Sequence, residues 1–194
     1  MFIREMTGYK QNPHYQKAAN QFATVGGYNQ RIGSLTEFQK YLMSVGFKPL
    51  GSGQGGVVFE KPDYPYAFKI FSDDPAYKDY LLYAIGHQDN IHVPKIKGKM
   101  IRINEHTFVA RIEKLQNPSG DDFEQVMSEY SSVWEYDDLL TVKLHFTKDK
   151  FPQLYNLIMD LGKKFPDYIL DLHRGNFMMR SGTIVLIDPL LEEK

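Results

Sequence analysis

Two acidic residues framing a short hairpin constrain this chain more than any other stretch. It runs Asp171-Leu172-His173-Arg174-Gly175-Asn176, then an apolar run, then Ile187-Asp188-Pro189. Phe177 to Met179 and Thr183 to Ile187 read as two short strands with Ser181-Gly182 at the turn. A tight hairpin there returns Asp188 to the side of Asn176, so two residues distant in sequence can share one metal ion. Asp171 is then placed to orient a hydroxyl and accept its proton, while Asn176 and Asp188 offer hard oxygen ligands for magnesium. The same spacing also arises when an Asp caps a turn and an Asn closes it. Upstream sequence has to separate the two readings.

The segment Leu50-Gly51-Ser52-Gly53-Gln54-Gly55-Gly56-Val57-Val58-Phe59 places Gly51, Gly53, Gly56 and Val58 on the pattern Gly-x-Gly-x-x-Gly-x-Val. A dinucleotide-binding turn needs a helix directly after its glycines. Here Val57-Val58-Phe59 is β-branched and aromatic, so a strand follows. Strand, glycine turn, strand is the arrangement that covers nucleotide phosphates in protein kinases. Its glycines let backbone amides approach phosphate oxygens with no Cβ in the way. Lys61-Pro62-Asp63-Tyr64-Pro65 reads as a turn, and Tyr66 to Phe71 alternates as a third strand carrying Ala67-x-Lys69. A lysine in the middle of an apolar strand is costly to bury without an anionic partner, and ATP phosphates would supply one. The plainer reading is a lysine snorkelling at a strand edge.

These motifs resemble the protein-kinase-like superfamily, in particular the compact kinase-like early proteins of short-tailed bacteriophages. The resemblance rests on Gly46-Phe47-Lys48-x-Leu50-Gly51, the glycine loop, Ala67-x-Lys69, Asp171-x-His173-x-Gly175-Asn176 and Asp188-Pro189. It implies an α+β, two-lobed fold. Residues 46–115 would form an antiparallel-sheet N-lobe, residues 116–194 a truncated helical C-lobe with the catalytic loop, and residues 1–45 an extension with one amphipathic helix. It further implies ATP and Mg2+ as cofactors, with Gly51, Gly53, Gly56, Val58, Ala67 and Lys69 on the nucleotide. Adenine would bond backbone atoms at Glu113 and Leu115, with Ile112 behind it. Asp171 would be the catalytic base, Lys69 and His173 would act beside it, and Asn176 and Asp188 would hold the metal.

Helices punctuate the rest. Ser34-Leu35-Thr36-Glu37 is a capping box, so a helix is expected from Ser34, with Leu35, Phe38, Leu42 and Val45 on its apolar face and Gly46 ending it. Further helices are expected near Pro75 to Gly86, from Asp121 to Tyr136, and from Phe151 to Lys164 with Leu154, Leu157, Ile158 and Leu161 as its buried stripe. Ile91 to Ile96, Lys99 to Ile103 and Thr107 to Ile112 read as strands. Trp134 reads as core, Asp137-Asp138 as a solvated loop, and His145 carries no role. Between Met1 and Leu50, Arg4, Lys10, Lys17, Arg31, Lys40 and Lys48 face only Glu5 and Glu37, a mild excess that suits a solvated face.

Composition narrows the classes further. The chain has no cysteine, which excludes disulfides and thiolate metal sites and points to the cytoplasm. A net charge of −1 argues against a dedicated nucleic-acid binder. No apolar run approaches the roughly 18 residues needed to cross a bilayer, and the first residues lack the apolar core of a secretory signal. Neither nucleic acid nor membrane is expected as a partner.

The departures from the kinase pattern matter as much. Kinases place a glutamate on the helix after the third strand to hold the lysine. Pro75 to Gly86 has none, and Asp79 is the nearest substitute, one methylene shorter. Ile169-Leu170 stands before Asp171 in place of His-Arg, and Pro189-Leu190 follows Asp188 in place of Phe-Gly. The residues after Asp188 leave no room for an activation segment. Asp-x-His-x-Gly-Asn is also the style of antibiotic and sugar kinases. The leading expectation is therefore a phage-type Ser/Thr protein kinase modifying host proteins. A small-molecule kinase is the alternative, and so is a catalytically weak module that works by binding a host protein. A homodimer is one way to complete the reduced C-lobe, though no residue specifies it.

Overall fold

The computed structural model describes residues 31–53, 56–72, 74–104, 106–131 and 144–192. They form two compact units. One takes the described residues of Met1–Asp74 and Lys95–Lys114, the other those of Pro75–Pro94 and Leu115–Lys194. No helix among the described residues is long and apolar enough to cross a membrane. The class is α+β.

The first unit begins with helix α1, Arg31–Ser44. It extends upstream of Ser34, which therefore lies within the helix and is not its cap. The reason it stops is legible. Gly46 adopts φ +91, its amide donates to the Met43 carbonyl, and the Phe47 amide donates to the Leu42 carbonyl. That is the Schellman closure, which satisfies carbonyls the helix leaves unpaired. Strands β1 (Lys48–Gly53), β2 (Gly56–Glu60), β3 (Tyr66–Ser72), β4 (Ile101–Asn104) and β5 (Thr107–Glu113) follow. They make one antiparallel sheet in the order β1-β2-β3-β5-β4.

One face of this sheet is the core. Phe59, Phe68, Ile70, Ile103 and Val109 pack with Phe38 and Leu42 of α1 and with Phe47. Phe47 meets Phe68 edge-on at 5.1 Å between ring centroids, a favoured aromatic geometry. Because side chains alternate across a strand, the register sends a second set to the opposite face. The expected strand Ile91 to Ile96 does not form. Residues 91–93 are turn, and the backbone there is taken up elsewhere, as described below. Only Ile96 pairs, as a single bridge to Ile112.

The second unit contains α2 (Pro75–Gly86), α3 (Asp121–Ser131), α4 (His145–Lys150) and α5 (Pro152–Lys164). The helix α2 belongs here, whereas the sequence reading put residues 75–94 in the first lobe. The apolar residues that decide this are Ala76, Tyr77, Tyr80, Leu81, Tyr83 and Ala84, all buried. Helix α4, unanticipated, is held by Glu129, whose carboxylate accepts from the amides of Phe146 and Thr147 at 2.6 and 2.8 Å. Leu154, Leu157, Ile158 and Leu161 of α5 are buried as the periodicity requires. Strand β6 (Tyr168–Leu170) pairs with β9 (Leu190–Glu192), and β7 (Phe177–Arg180) pairs with β8 (Thr183–Leu186). Trp134, Asp137 and Asp138 lie outside the described residues, as do Arg4, Lys10, Lys17, Gln54 and Gly55.

Candidate functional site

In the first unit the sheet register aligns the glycine segment with Lys69. Gly51 pairs with Val58, Val58 with Lys69, and Lys69 with Ala110. Directly paired residues share a face, so these four make one row across the sheet. Ala67 and Ile112 are the next pair on that face. Gly53, Gly56, Phe71 and Phe108 make a parallel row. This face lies opposite the Phe59–Phe68–Ile70 core. The alignment depends on a register shift between Pro49 and Gly51, because an extra residue in one strand resets which side chains share a face.

The glycines serve different ends. A Cβ on Gly56 would lie 2.3 Å from the Ile70 carbonyl oxygen, so any other residue there would force the backbone to shift. A Cβ on Gly51 would meet nothing within 4 Å. Gly53 closes the β1–β2 pairing opposite Gly56. At the end of β5, Glu113 is tied to Lys95, which precedes the bridge residue Ile96. Its amide donates to the Lys95 carbonyl at 2.9 Å, and its carboxylate accepts from the Lys95 amide at 2.7 Å. Leu115 is the first residue of the second unit after β5.

In the second unit the hairpin expectation holds. Ser181 and Gly182 turn with φ 47 and 86, both left-handed, as a two-residue hairpin turn requires. Phe177 pairs with Leu186, and past that rung the Ile187 amide donates to the Asn176 carbonyl at 2.8 Å. On the other side of Asp188, the Asp171 amide donates to the Pro189 carbonyl at 2.8 Å. Asp188 is thus held between two backbone bonds whose partners are Asn176 and Asp171. The Asn176 side chain closes the arrangement, donating from Nδ2 to the Asp171 carbonyl at 2.9 Å. That bond assigns Oδ1 as the acceptor end of the amide, uncommitted among the described residues.

The short 3-10 turn Arg174–Asn176 carries the rest of the loop. His173 Nδ1 accepts from the Gly175 amide at 2.9 Å, so the proton of the neutral ring sits on Nε2. Nε2 lies 3.5 Å from Asp171 Oδ2. The sharp fold-back explains Gly175, since a Cβ there would lie 2.6 Å from His173 Cε1. Asp171 Oδ1 is buried with no hydrogen-bond partner among the described residues. A buried carboxylate oxygen left without a donor is uncommon and leaves capacity for an incoming one.

Three anchors that the sequence reading missed hold this hairpin. Tyr80 of α2 is fully buried and its hydroxyl donates to the Leu186 carbonyl, two residues before Asp188. Burial, with the Asp188 charge adding to it, holds that phenol well above its ordinary range. The free edge of β8 is covered by residues 91–93. The Leu186 amide donates to the His92 carbonyl, His92 Nδ1 bonds the Ile184 carbonyl at 2.7 Å, and Arg180 donates to the carbonyls of Ile91 and Val93 at 2.7 and 2.9 Å. The edge of β7 is covered by Gln116, which exchanges backbone bonds with Met179. Nothing local in the sequence of α2 says which carbonyl the Tyr80 hydroxyl finds. Asp79, the substitute considered for the kinase glutamate, accepts from the Tyr168 hydroxyl at 2.8 Å.

The residues present suit magnesium. An amide oxygen and a carboxylate are the hard donors this ion takes, and it keeps several waters besides. No family model matches the chain, and a search of curated proteins finds no match.

Proposed function

We propose that the protein is an ATP- and magnesium-dependent phosphotransferase of the two-lobed protein-kinase-like type, acting on Ser/Thr hydroxyls of a host protein. The observation that carries this reading is the closure of the Asp171–Asn176 loop on Asp188 by the bonds between Asp171 and Pro189, Asn176 and Ile187, and the Asn176 side chain and Asp171. A turn cap would account for one such bond. It gives no reason for three that bring the backbone on either side of Asp188 against Asp171 and Asn176. The row Gly51–Val58–Lys69–Ala110 on the face opposite the core supports the nucleotide half of the reading.

In this mechanism the acceptor hydroxyl donates its hydrogen bond to Asp171, whose carboxylate takes the proton as the oxygen attacks the γ-phosphorus and the bond to ADP breaks. His173, with Nε2 3.5 Å from Asp171 Oδ2, would orient that carboxylate. Lys69 and the amides of the glycine segment neutralise charge on the phosphates. Asn176 and Asp188 would hold magnesium, whose charge would lower the cost of negative charge developing on the phosphates. The small-molecule alternative is favoured by His173 and Gly175, which give the loop the form seen in antibiotic and sugar kinases.

The test is phosphate transfer from γ-labelled ATP with magnesium, using the purified protein alone and with host lysate, beside Asp171→Ala and Asp188→Ala. Label on protein that disappears in both variants supports the reading. Magnesium-dependent nucleotide binding without protein label shifts the acceptor to a small molecule. Absence of nucleotide binding rules out both enzymes.

A further inference from the structure

Arg174 lies inside the catalytic loop yet has no part in the chemistry above. Its guanidinium makes a two-pronged contact with Glu124 of α3, Nη1 to Oε2 at 2.8 Å and Nη2 to Oε1 at 2.5 Å. The same guanidinium lies 4.9 Å over the ring of Phe123. Three residues on, Phe177 is fully buried, stacks on Tyr130 at 5.6 Å and meets Phe123 edge-on at 6.2 Å. Helix α3 therefore grips the chain on both sides of Gly175-Asn176. The Arg174 and Glu124 side chains are 56% and 54% exposed, and exposed ion pairs contribute little to stability. A forked arginine–carboxylate contact does fix direction, because two parallel bonds in one plane leave a single orientation.

We propose that the Arg174–Glu124 pair, backed by Phe123, is a positioning device that sets the backbone of residues 174–176 and thereby the placement of Asn176 Oδ1 and the His173 ring against Asp171. The proposal rests on the phosphotransferase reading for its catalytic consequence and on geometry for its structural one. Misplacing a reacting or metal-holding group by about 1 Å costs on the order of a hundredfold in rate.

The experiment compares Glu124→Gln, Arg174→Gln, the double variant and Arg174→Lys with the natural chain. Three quantities are read: kcat and KM for ATP from ADP release, thermal midpoint, and amide hydrogen exchange at Gly175 and Asn176, whose N–H groups bond His173. Each single Gln variant should lower kcat by about 10- to 100-fold, with KM for ATP and the thermal midpoint nearly unchanged and the two amides exchanging faster. The double variant should be no worse than either single one, since both remove one interaction. Arg174→Lys should restore only part, because an ammonium cannot make the fork. Unchanged kcat and exchange overturn the proposal, as does a loss of thermal midpoint that accounts for the loss of rate. Should the natural chain release no ADP, the phosphotransferase reading fails and exchange decides alone. Faster exchange in Glu124→Gln upholds the positioning role and unchanged exchange sinks it.

Discussion

The glycines of the nucleotide segment divide at the level of single atoms. Gly56→Ala puts a methyl 2.3 Å from the Ile70 carbonyl oxygen, and backbone cannot yield cheaply there. We expect it to destabilise the first unit by about 1–3 kcal/mol, the usual cost of overpacking, read as a lower urea midpoint with an unchanged slope. Gly51→Ala meets open space and should fold normally. Its effect should appear only as weaker nucleotide binding by calorimetry, and equal affinity would remove Gly51 from the phosphate site. Gly175→Ala differs again. The added methyl strikes the tip of a half-exposed imidazole, which can swing away. The variant should therefore lose as much kcat as His173→Ala, with no further loss when the two are combined; additive losses would show that the glycine serves something else.

At the scale of elements, α2 is fastened to the second unit by polar bonds from tyrosines. Tyr80 reaches the Leu186 carbonyl, Tyr83 donates to Asp160 of α5 at 2.7 Å, and Tyr168 donates to Asp79. Tyr80→Phe removes a buried donor and orphans a buried carbonyl, so it should cost about 1–3 kcal/mol in urea unfolding. A smaller change would mean that the Leu186 carbonyl finds water. The strap at residues 91–93 makes a pH prediction. Burial lowers the pKa of His92 from its ordinary value of 6.5; its bond to the Ile184 carbonyl opposes this in part, and the nearby Arg180 charge adds a smaller lowering. The folded state thus binds that proton less readily than the unfolded one. The stability His92 contributes is complete above about pH 6.5 and declines as pH falls toward the lowered value. Thermal midpoints taken from pH 8 to 5 should fall on the acid side, and His92→Gln should flatten that fall. An identical slope in the variant would assign the acid sensitivity to other groups.

For the whole molecule, the proposed reading assigns ATP phosphates to Lys69 and magnesium to Asn176 and Asp188. Magnesium and ATP at about a hundredfold over Kd should stabilise the folded chain by about 2.7 kcal/mol. That corresponds to a rise of roughly 5–10 °C in Tm for a chain of this size. The rise should vanish in Lys69→Ala and in Asp188→Asn alike, and should require magnesium. A shift that survives either substitution would remove that residue from the nucleotide or metal site.

The sequence by itself determined the elements that answer to local chemistry. The Ser181-Gly182 turn, the Gly46 helix stop, the α5 stripe and the three strands around the glycine segment all follow from period, turn residues and β-branching within a few positions. The return of Asp188 to Asn176 was legible for the same reason: a hairpin of known length has one way to bring its ends together. The tertiary structure decided what depends on distant partners. The span at 91–96 has the composition of a strand, but Arg180 and His92 give its backbone a different set of bonds. Helix α2 joins the second unit because its buried tyrosines find carbonyls and carboxylates there. His173 faces Asp171 because Gly175 leaves room for the ring to fold back, and Arg174 finds Glu124 across 50 residues of chain. A hydrogen bond of this kind has no period and no spacing, so only the folded backbone can specify it.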